Sequence, residues 1–197
     1  MQTHIHETSL RLPPGTMTVL LGPTLAGKTS LMRLMAGLDR PTSGRILVNE
    51  GGREKDVTGT AVRERSVAMV YQQFINYPNL SVFENIASPL RVKGLPKAEV
   101  DSKVRAMARL MQLEPFLARM PLNLSGGQQQ RTAMARALIK GADLVLLDEP
   151  LANLDYKLRE ELREELPKIV RLSNATVVYA TTDPQEALLL GDHTATL

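Results

Sequence analysis

Gly22 to Thr29 reads GPTLAGKT and fits the spacing G-x-x-x-x-G-K-[ST]. Thr16 to Gly22 is an apolar, β-forming run, and Leu31, Leu34, Met35 and Leu38 recur at helical spacing, so the order predicted is strand, loop, helix. In a loop so placed, backbone N–H groups wrap phosphate oxygens and the helix N-terminus adds positive potential. Gly22, Pro23, Thr24, Leu25, Ala26, Gly27 and Ser30 are candidate contacts to a nucleotide. Lys28 is the cation for its β and γ phosphates, and the Thr29 hydroxyl is a ligand for Mg²⁺. At average composition, chance gives the pattern in about one chain in two hundred of this length. A structural turn is the alternative reading.

Leu144 to Pro150, LVLLDEP, sets four apolar residues before two acids. That suits a buried strand whose carboxyl end, where open α/β sheets bind ligands, carries both carboxylates. Asp148 is placed to orient the Mg²⁺ shell and Glu149 to polarise an attacking water. A helix N-cap would also favour an acid there, so the pair acquires meaning from the phosphate loop. Leu124 to Gln128 reads LSGGQ at the start of a helical pattern. Ser125 can cap that helix, and Gly126 and Gly127 allow backbone to approach an anion closely, which makes a second phosphate-binding helix end. A glycine-rich linker is the bland alternative, but it leaves the helix pattern immediately after it unexplained.

The elements that must carry these loops alternate. Beyond the first strand and helix, Arg45 to Asn49 and Val67 to Tyr71 read as strands, with Glu50 to Gly59 as a turn between them. Ser81 to Leu117 turns helical: Ser81 and Glu84 make a capping box, and Val100, Val104, Met107, Ala108 and Met111 share one face. A helix to about Lys140, the strand Leu144 to Leu147, a charged helix Tyr156 to Leu172 bent near Pro167, a strand Thr176 to Ala180 and a helical stretch Pro184 to Leu190 follow. The class predicted is α/β, a phosphate-loop cassette with a mainly parallel sheet, a small antiparallel β region and a helical portion over about 81–140. The run KLREELREELPK reads as a solvated helix face with local ion pairs.

Composition excludes several classes. With 43% hydrophobic and 23% charged residues, the 197-residue chain has the balance of a globular domain. A net charge of +3 does not argue for nucleic acid. Without cysteine there is no disulfide framework and no thiolate metal site, which fits a reducing compartment. Met1 to Leu12 lacks a signal peptide's apolar run, and no apolar stretch reaches a membrane span. His4 and His6 have no third ligand nearby and read as an alternating strand or tag-like start.

Together, GPTLAGKT, LSGGQ and LLDEP resemble the phosphate loop, signature and second acidic motif of the ATP-binding-cassette ATPases. Val70 to Gln72 resembles that family's glutamine loop, and Ala152 to Asp155 (ANLD) the loop after its acidic motif. The resemblance spans nearly the whole chain. It implies ATP and Mg²⁺ as ligands, with Gln72 near the metal and the attacking water and Asp155 near the nucleotide. It also implies a head-to-tail dimer in which Ser125, Gly126, Gly127 and Gln128 of one protomer close over ATP held by the other's Lys28. The partners implied are a second ATPase subunit, the same or homologous, and integral membrane permease subunits, with no nucleic acid. The place implied is the cytoplasmic face of the inner membrane. FINYPNLSVFE, Phe74 to Glu84, is similar to the maltose-type importers of sugars and polyols, and GPTLAGKTSLMRLMAGLD to glycerol-importer ATPases among them. Tyr77 and Phe83 are dock-facing or core aromatics on this reading.

Four departures from that pattern stand out. Leu25 replaces a usual glycine, and Thr182, in VVYATTD, stands where the family places a histidine before the aspartate that is here Asp183. Little chain precedes Gly22, where a further strand and an adenine-stacking aromatic are expected, and the regulatory β-rich domain of the maltose-type subunits is not in the sequence. The expectation is a portion of a longer protein. Function is therefore expected to be a transport ATPase. The alternatives are a regulatory nucleotide-binding subunit with little hydrolysis, which Thr182 favours and Glu149 opposes, or a non-transport ATPase of the same fold.

Overall fold

Strands β1 (Met17–Leu21), β4 (Val67–Val70), β5 (Leu144–Asp148), β6 (Thr176–Thr181) and β7 (His193–Thr196) form one five-stranded sheet in the order β4-β5-β6-β1-β7. Every pairing in it is parallel. The computed structural model describes residues 5–73, 75–152 and 154–197. His4, Phe74 and Asn153 lie outside these, and with them the pairing of His4 with His6, the first residue of FINYPNLSVFE and the middle of ANLD.

Side chains on a strand alternate between faces, so one β run feeds two cores. Met17, Val19, Val145, Leu147, Val177 and Tyr179 join one core, which also takes the apolar sides of α2 (Val82–Val92), α3 (Lys97–Leu110), α4 (Gly126–Ile139) and α5 (Tyr156–Ser173). Leu20, Leu146, Val178 and Ala180 face the other way, against Met32 and Ala36 of α1 (Lys28–Ala36). Helices on both faces explain why LVLL is a continuous apolar run. The same alternation turns Asp148 to the α1 side, because it lies two residues beyond Leu146.

Three expectations need correction. Glu50 to Gly59 is not simply a turn: β2 (Leu47–Glu50) and β3 (Arg53–Asp56) pair antiparallel around Gly51 and Gly52, and all eight strand residues are exposed, so no apolar alternation marks β3. β7 is an additional strand, with the polar sequence HTAT, paired along Thr18–Leu21. Residues 5–15 hold no strand.

The helical stretch from Ser81 resolves into α2 and α3, separated at Gly94 to Pro96. Its capping box forms as expected, with Glu84 N–H donating to Ser81 Oγ at 3.2 Å and Ser81 N–H to Glu84 Oε2 at 2.9 Å. Asn85, fully buried, accepts from Tyr77 N–H and donates to the carbonyls of Tyr77, Leu80 and Ser81. It thereby fastens the segment after Gln72 to α2.

Candidate functional site

Because the sheet is parallel, the ends of β1, β4, β5 and β6 reach one edge. The pairs Leu21↔Thr181 and Asp148↔Ala180 fix their alignment, and Gly22 N–H donates to Thr181 O at 3.3 Å. Gly22 to Gly27 turns from β1 into α1 there. A Cβ at Gly22 would lie 2.8 Å from the Leu197 carbonyl oxygen. Gly27, just before the helix, has φ +95°, which only glycine adopts freely.

Leu25 sits in the left-handed region at φ +70° with its side chain 98% exposed. It has the strain of that backbone with no burial to offset it. For a leucine the conformation costs about 1–2 kcal/mol. Leu25→Gly is expected to raise stability by about 0.5–1 kcal/mol after glycine's own entropic cost, roughly 1–3 °C in melting temperature. A melting temperature equal to or below the parent's would show that the loop is not strained at this residue.

Lys28 leads α1 and is 4% exposed; its Nζ donates to the carbonyls of Gly22 at 2.8 Å and Pro23 at 3.0 Å and lies 3.4 Å from Glu149 Oε1. The next residue, Thr29, donates from Oγ1 to Asp148 Oδ2 at 2.8 Å. Burial raises the Asp148 pKa above the ordinary carboxylate range, against the Thr29 hydrogen bond and the Lys28 charge, which lower it, while Glu149 adds to the rise. A hard cation would relieve that desolvation. The hydroxyl–carboxylate pair is all oxygen, and Mg²⁺ takes one or two protein oxygens with phosphate and water completing its octahedron. Thr29 and Asp148 fit that group.

Glu149 follows β5 with φ +44°, its N–H donating to Ala180 O at 3.0 Å. The turn directs its carboxylate to two of the predicted site residues: Lys28, and Gln72, whose Nε2 donates to Glu149 Oε2 at 3.2 Å. Lys28, Thr29, Gln72, Asp148 and Glu149 are thus one constellation drawn from three loops. Thr182 and Asp155 are both exposed. Thr182 borders a 160 Å³ cavity shared with Glu149, Ala152, Arg159, Asp183 and Glu186.

Ser125 and Gln128 cap α4 reciprocally, Gln128 N–H to Ser125 Oγ at 3.3 Å and Ser125 N–H to Gln128 Oε1 at 3.0 Å. These bonds close within the LSGGQ turn rather than on the phosphate loop, and Ser125 and Gly126 face outward. Tyr77 is half-exposed and stacks under the Arg136 guanidinium at 4.5 Å, while Phe83 packs partly against the core.

Sequence reading missed the side chains behind Thr182. Arg163 was assigned to a solvated face, yet it is 9% exposed and pairs with Glu160, Asp183 and Glu186. Its signal was present, since Leu162 and Leu166 beside it are core residues. Among the described residues, no helix is long and apolar enough to cross a membrane.

Comparison with known proteins places this geometry. The family model described as ABC transporter matches residues 5–152. The trehalose/maltose import ATP-binding protein MalK of Thermococcus litoralis is 41% identical over 197 residues, covering 99% of this chain and 53% of the relative. The Fe(3+) ions import ATP-binding protein FbpC of Agrobacterium fabrum is 45% identical over 190 residues, covering 96% and 53%. The chain spans about half the length of the curated relatives it matches. A dimeric structure of a bacterial ABC transporter cassette superposes with a TM-score of 0.81 at 31% identity, over 95% of this chain and 83% of that one. The fold, the phosphate-loop geometry and these matches agree, and the chain belongs to the ABC transporter family.

Proposed function

We propose that this chain is the nucleotide-binding domain, residues 1–197 with its helical portion at about 81–140, of an ATPase subunit that energises solute import. The observation that carries this reading is the convergence of Lys28, Thr29, Asp148, Glu149 and Gln72 at one edge of the sheet. The loop from Gly22 to Ser30 receives the phosphates on its N–H groups, and Lys28 neutralises the β and γ groups. Thr29, Asp148 and Gln72 would hold Mg²⁺, which would supply charge stabilisation to the transferring group. Glu149 takes the proton of the attacking water as its oxygen bonds to the γ-phosphorus. The bond from that phosphorus to the bridging oxygen breaks, and ADP and phosphate leave.

The site is completed in a head-to-tail pair, where Ser125, Gly126, Gly127 and Gln128 of one subunit face the other's nucleotide and Asp155 lies at the junction. The similarity to a cassette whose structure is dimeric supports pairing. The second ATPase subunit, identical or homologous, and membrane permeases are the partners, which puts the chain on the cytoplasmic face of the membrane. Relatives named for a sugar and for iron match at similar identity. Solute choice therefore belongs to the partner proteins, and sugars or polyols, glycerol among them, are supported by the motif resemblance and by relatives named for trehalose/maltose and sn-glycerol-3-phosphate import. ATP turnover by the assembled transporter, abolished by Lys28→Ala, tests the reading.

A second reading, low hydrolysis at this site, is favoured by Thr182. A histidine there would donate to the γ-phosphate as charge develops, and one such donor is worth about a hundredfold to a thousandfold in rate. Threonine's hydroxyl is shorter and uncharged. Thr182→His in the full complex is expected to speed hydrolysis about tenfold or more with ATP affinity little changed. Equal rates before and after would mean that another residue already supplies the donor.

A further inference from the structure

Thr182 is exposed at the tip of β6, but the residues on either side of it are anchored from behind. Thr181 Oγ1 donates to Glu186 Oε2 at 2.6 Å and accepts from Asp183 N–H at 3.0 Å. Tyr179 OH donates to the same Glu186 oxygen at 2.9 Å, and Asp183 Oδ1 caps α6 (Pro184–Leu190) through Gln185 N–H at 2.8 Å. One side chain of α5 closes this network. Arg163 Nη2 bridges Asp183 Oδ2 at 2.5 Å and Glu186 Oε1 at 3.4 Å, while Nη1 holds Glu160 at 2.8 Å. Arg163 and Glu186 are 9% and 7% exposed, so the charges are largely withdrawn from water and depend on each other.

One helical turn earlier, Arg159 Nη2 donates to the carbonyls of Ala152 and Leu154, both at 3.3 Å. Residues four apart share a helix face. The same face of α5 therefore holds Ala152 and Leu154, which follow Glu149, and the segment that carries Thr182; Glu149, Ala152 and Thr182 line one cavity.

From this geometry we infer that Arg159 and Arg163 are positioning residues for hydrolysis: through α5 they fix Ala152 and Leu154 and the 181–183 segment relative to each other, and so set Thr182 against Glu149. The inference rests on the proposed role of Glu149. A guanidinium is needed because a planar fork spans two carboxylates, whereas an ammonium is a point charge. Both arginines spend their hydrogen bonds on protein carbonyls and carboxylates, so their loss is expected to act on the rate of the bound complex.

The test is steady-state ATP hydrolysis by the assembled transporter, with the melting temperature of each variant measured in parallel. Arg163→Lys keeps the charge but not the fork, and is expected to lower kcat tenfold or more with KM for ATP within twofold and an unchanged melting temperature. Arg159→Lys is expected to lower kcat about threefold. Arg171→Lys, at an exposed position on the same helix, is expected to match the parent. If Arg163→Lys does not fold, Glu186→Gln, which keeps an oxygen for both hydroxyls and removes the pull on the arginine, is expected to show the same loss of kcat. A kcat within twofold of the parent in the folded variant would overturn the inference. So would losses of kcat, ATP affinity and thermal stability in step, which mark a purely structural network. A parent-like rate in Glu149→Gln would instead remove the role of Glu149, and is read separately from the arginine variants.

Discussion

Glu149→Gln is expected to bind Mg²⁺-ATP with the parent's affinity and to hydrolyse it at least about a hundredfold more slowly. Glutamine has the same shape and can still accept from Gln72 Nε2, now 3.2 Å from Glu149 Oε2. It can also hold its turn at φ +44°, because the N–H bond to Ala180 is made by backbone. It cannot take a proton from water at neutral pH. Binding survives because the phosphate loop and the Thr29–Asp148 pair are untouched, and Lys28 keeps its bonds to Gly22 and Pro23. Release of labelled phosphate, measured beside equilibrium nucleotide binding, checks both halves. Turnover at the parent rate with binding intact would assign the base elsewhere.

Lys28→Ala is expected to fail one step earlier, at binding. The Lys28 ammonium is 4% exposed and is the cation at the centre of the constellation, with two carbonyl acceptors and the Glu149 carboxylate around it. Alanine leaves Glu149 facing a polyphosphate with no intervening positive charge. Charge-assisted hydrogen bonds to an ionised group are worth about 1.5–3 kcal/mol each. Losing them, and adding the repulsion, is expected to weaken ATP affinity by about a hundredfold or more. Titration of a fluorescent ATP analogue reads this directly. The fold is expected to persist, because Lys28 contributes to the site and not to either hydrophobic core. Unchanged affinity would place the nucleotide away from Gly22 to Ser30.

What the sequence made legible follows from where its patterns have a physical cause. GPTLAGKT and LVLLDEP are short, and local geometry decides their outcome: an apolar strand, a turn, then a group presented at the strand's carboxyl end. Thr29 and Asp148, 119 positions apart, meet because two parallel strands end at the same edge. The capping box at Ser81 and the helix cap at Ser125 were readable for the same local reason. β3 and β7 were not, since an exposed hairpin strand and the polar edge strand HTAT bury too little to need alternation. Arg163 was misread because Leu162 and Leu166 mark the buried side of α5 but KLREELREELPK does not say which charge joins them there. That depends on Asp183 and Glu186, about twenty residues downstream, reaching α5 from β6 and α6. The left-handed backbone of Leu25 was signalled only by the glycine that the resembling loops carry there.

The central claim is that ATP is hydrolysed at a composite site, Lys28 of one subunit under Ser125 of the other. It is tested most directly by placing Lys28→Ala and Ser125→Arg in one pair of ATPase subunits in two arrangements and measuring phosphate release. With the changes on different subunits, both fall in the same composite site and the second site stays whole, so about half or less of the parent rate is expected to remain. With both on one subunit, each site loses one of its halves and hydrolysis is expected to vanish. The reverse outcome, with activity surviving when one subunit carries both changes and lost when they are separated, would mean that each chain works alone and would contradict the account.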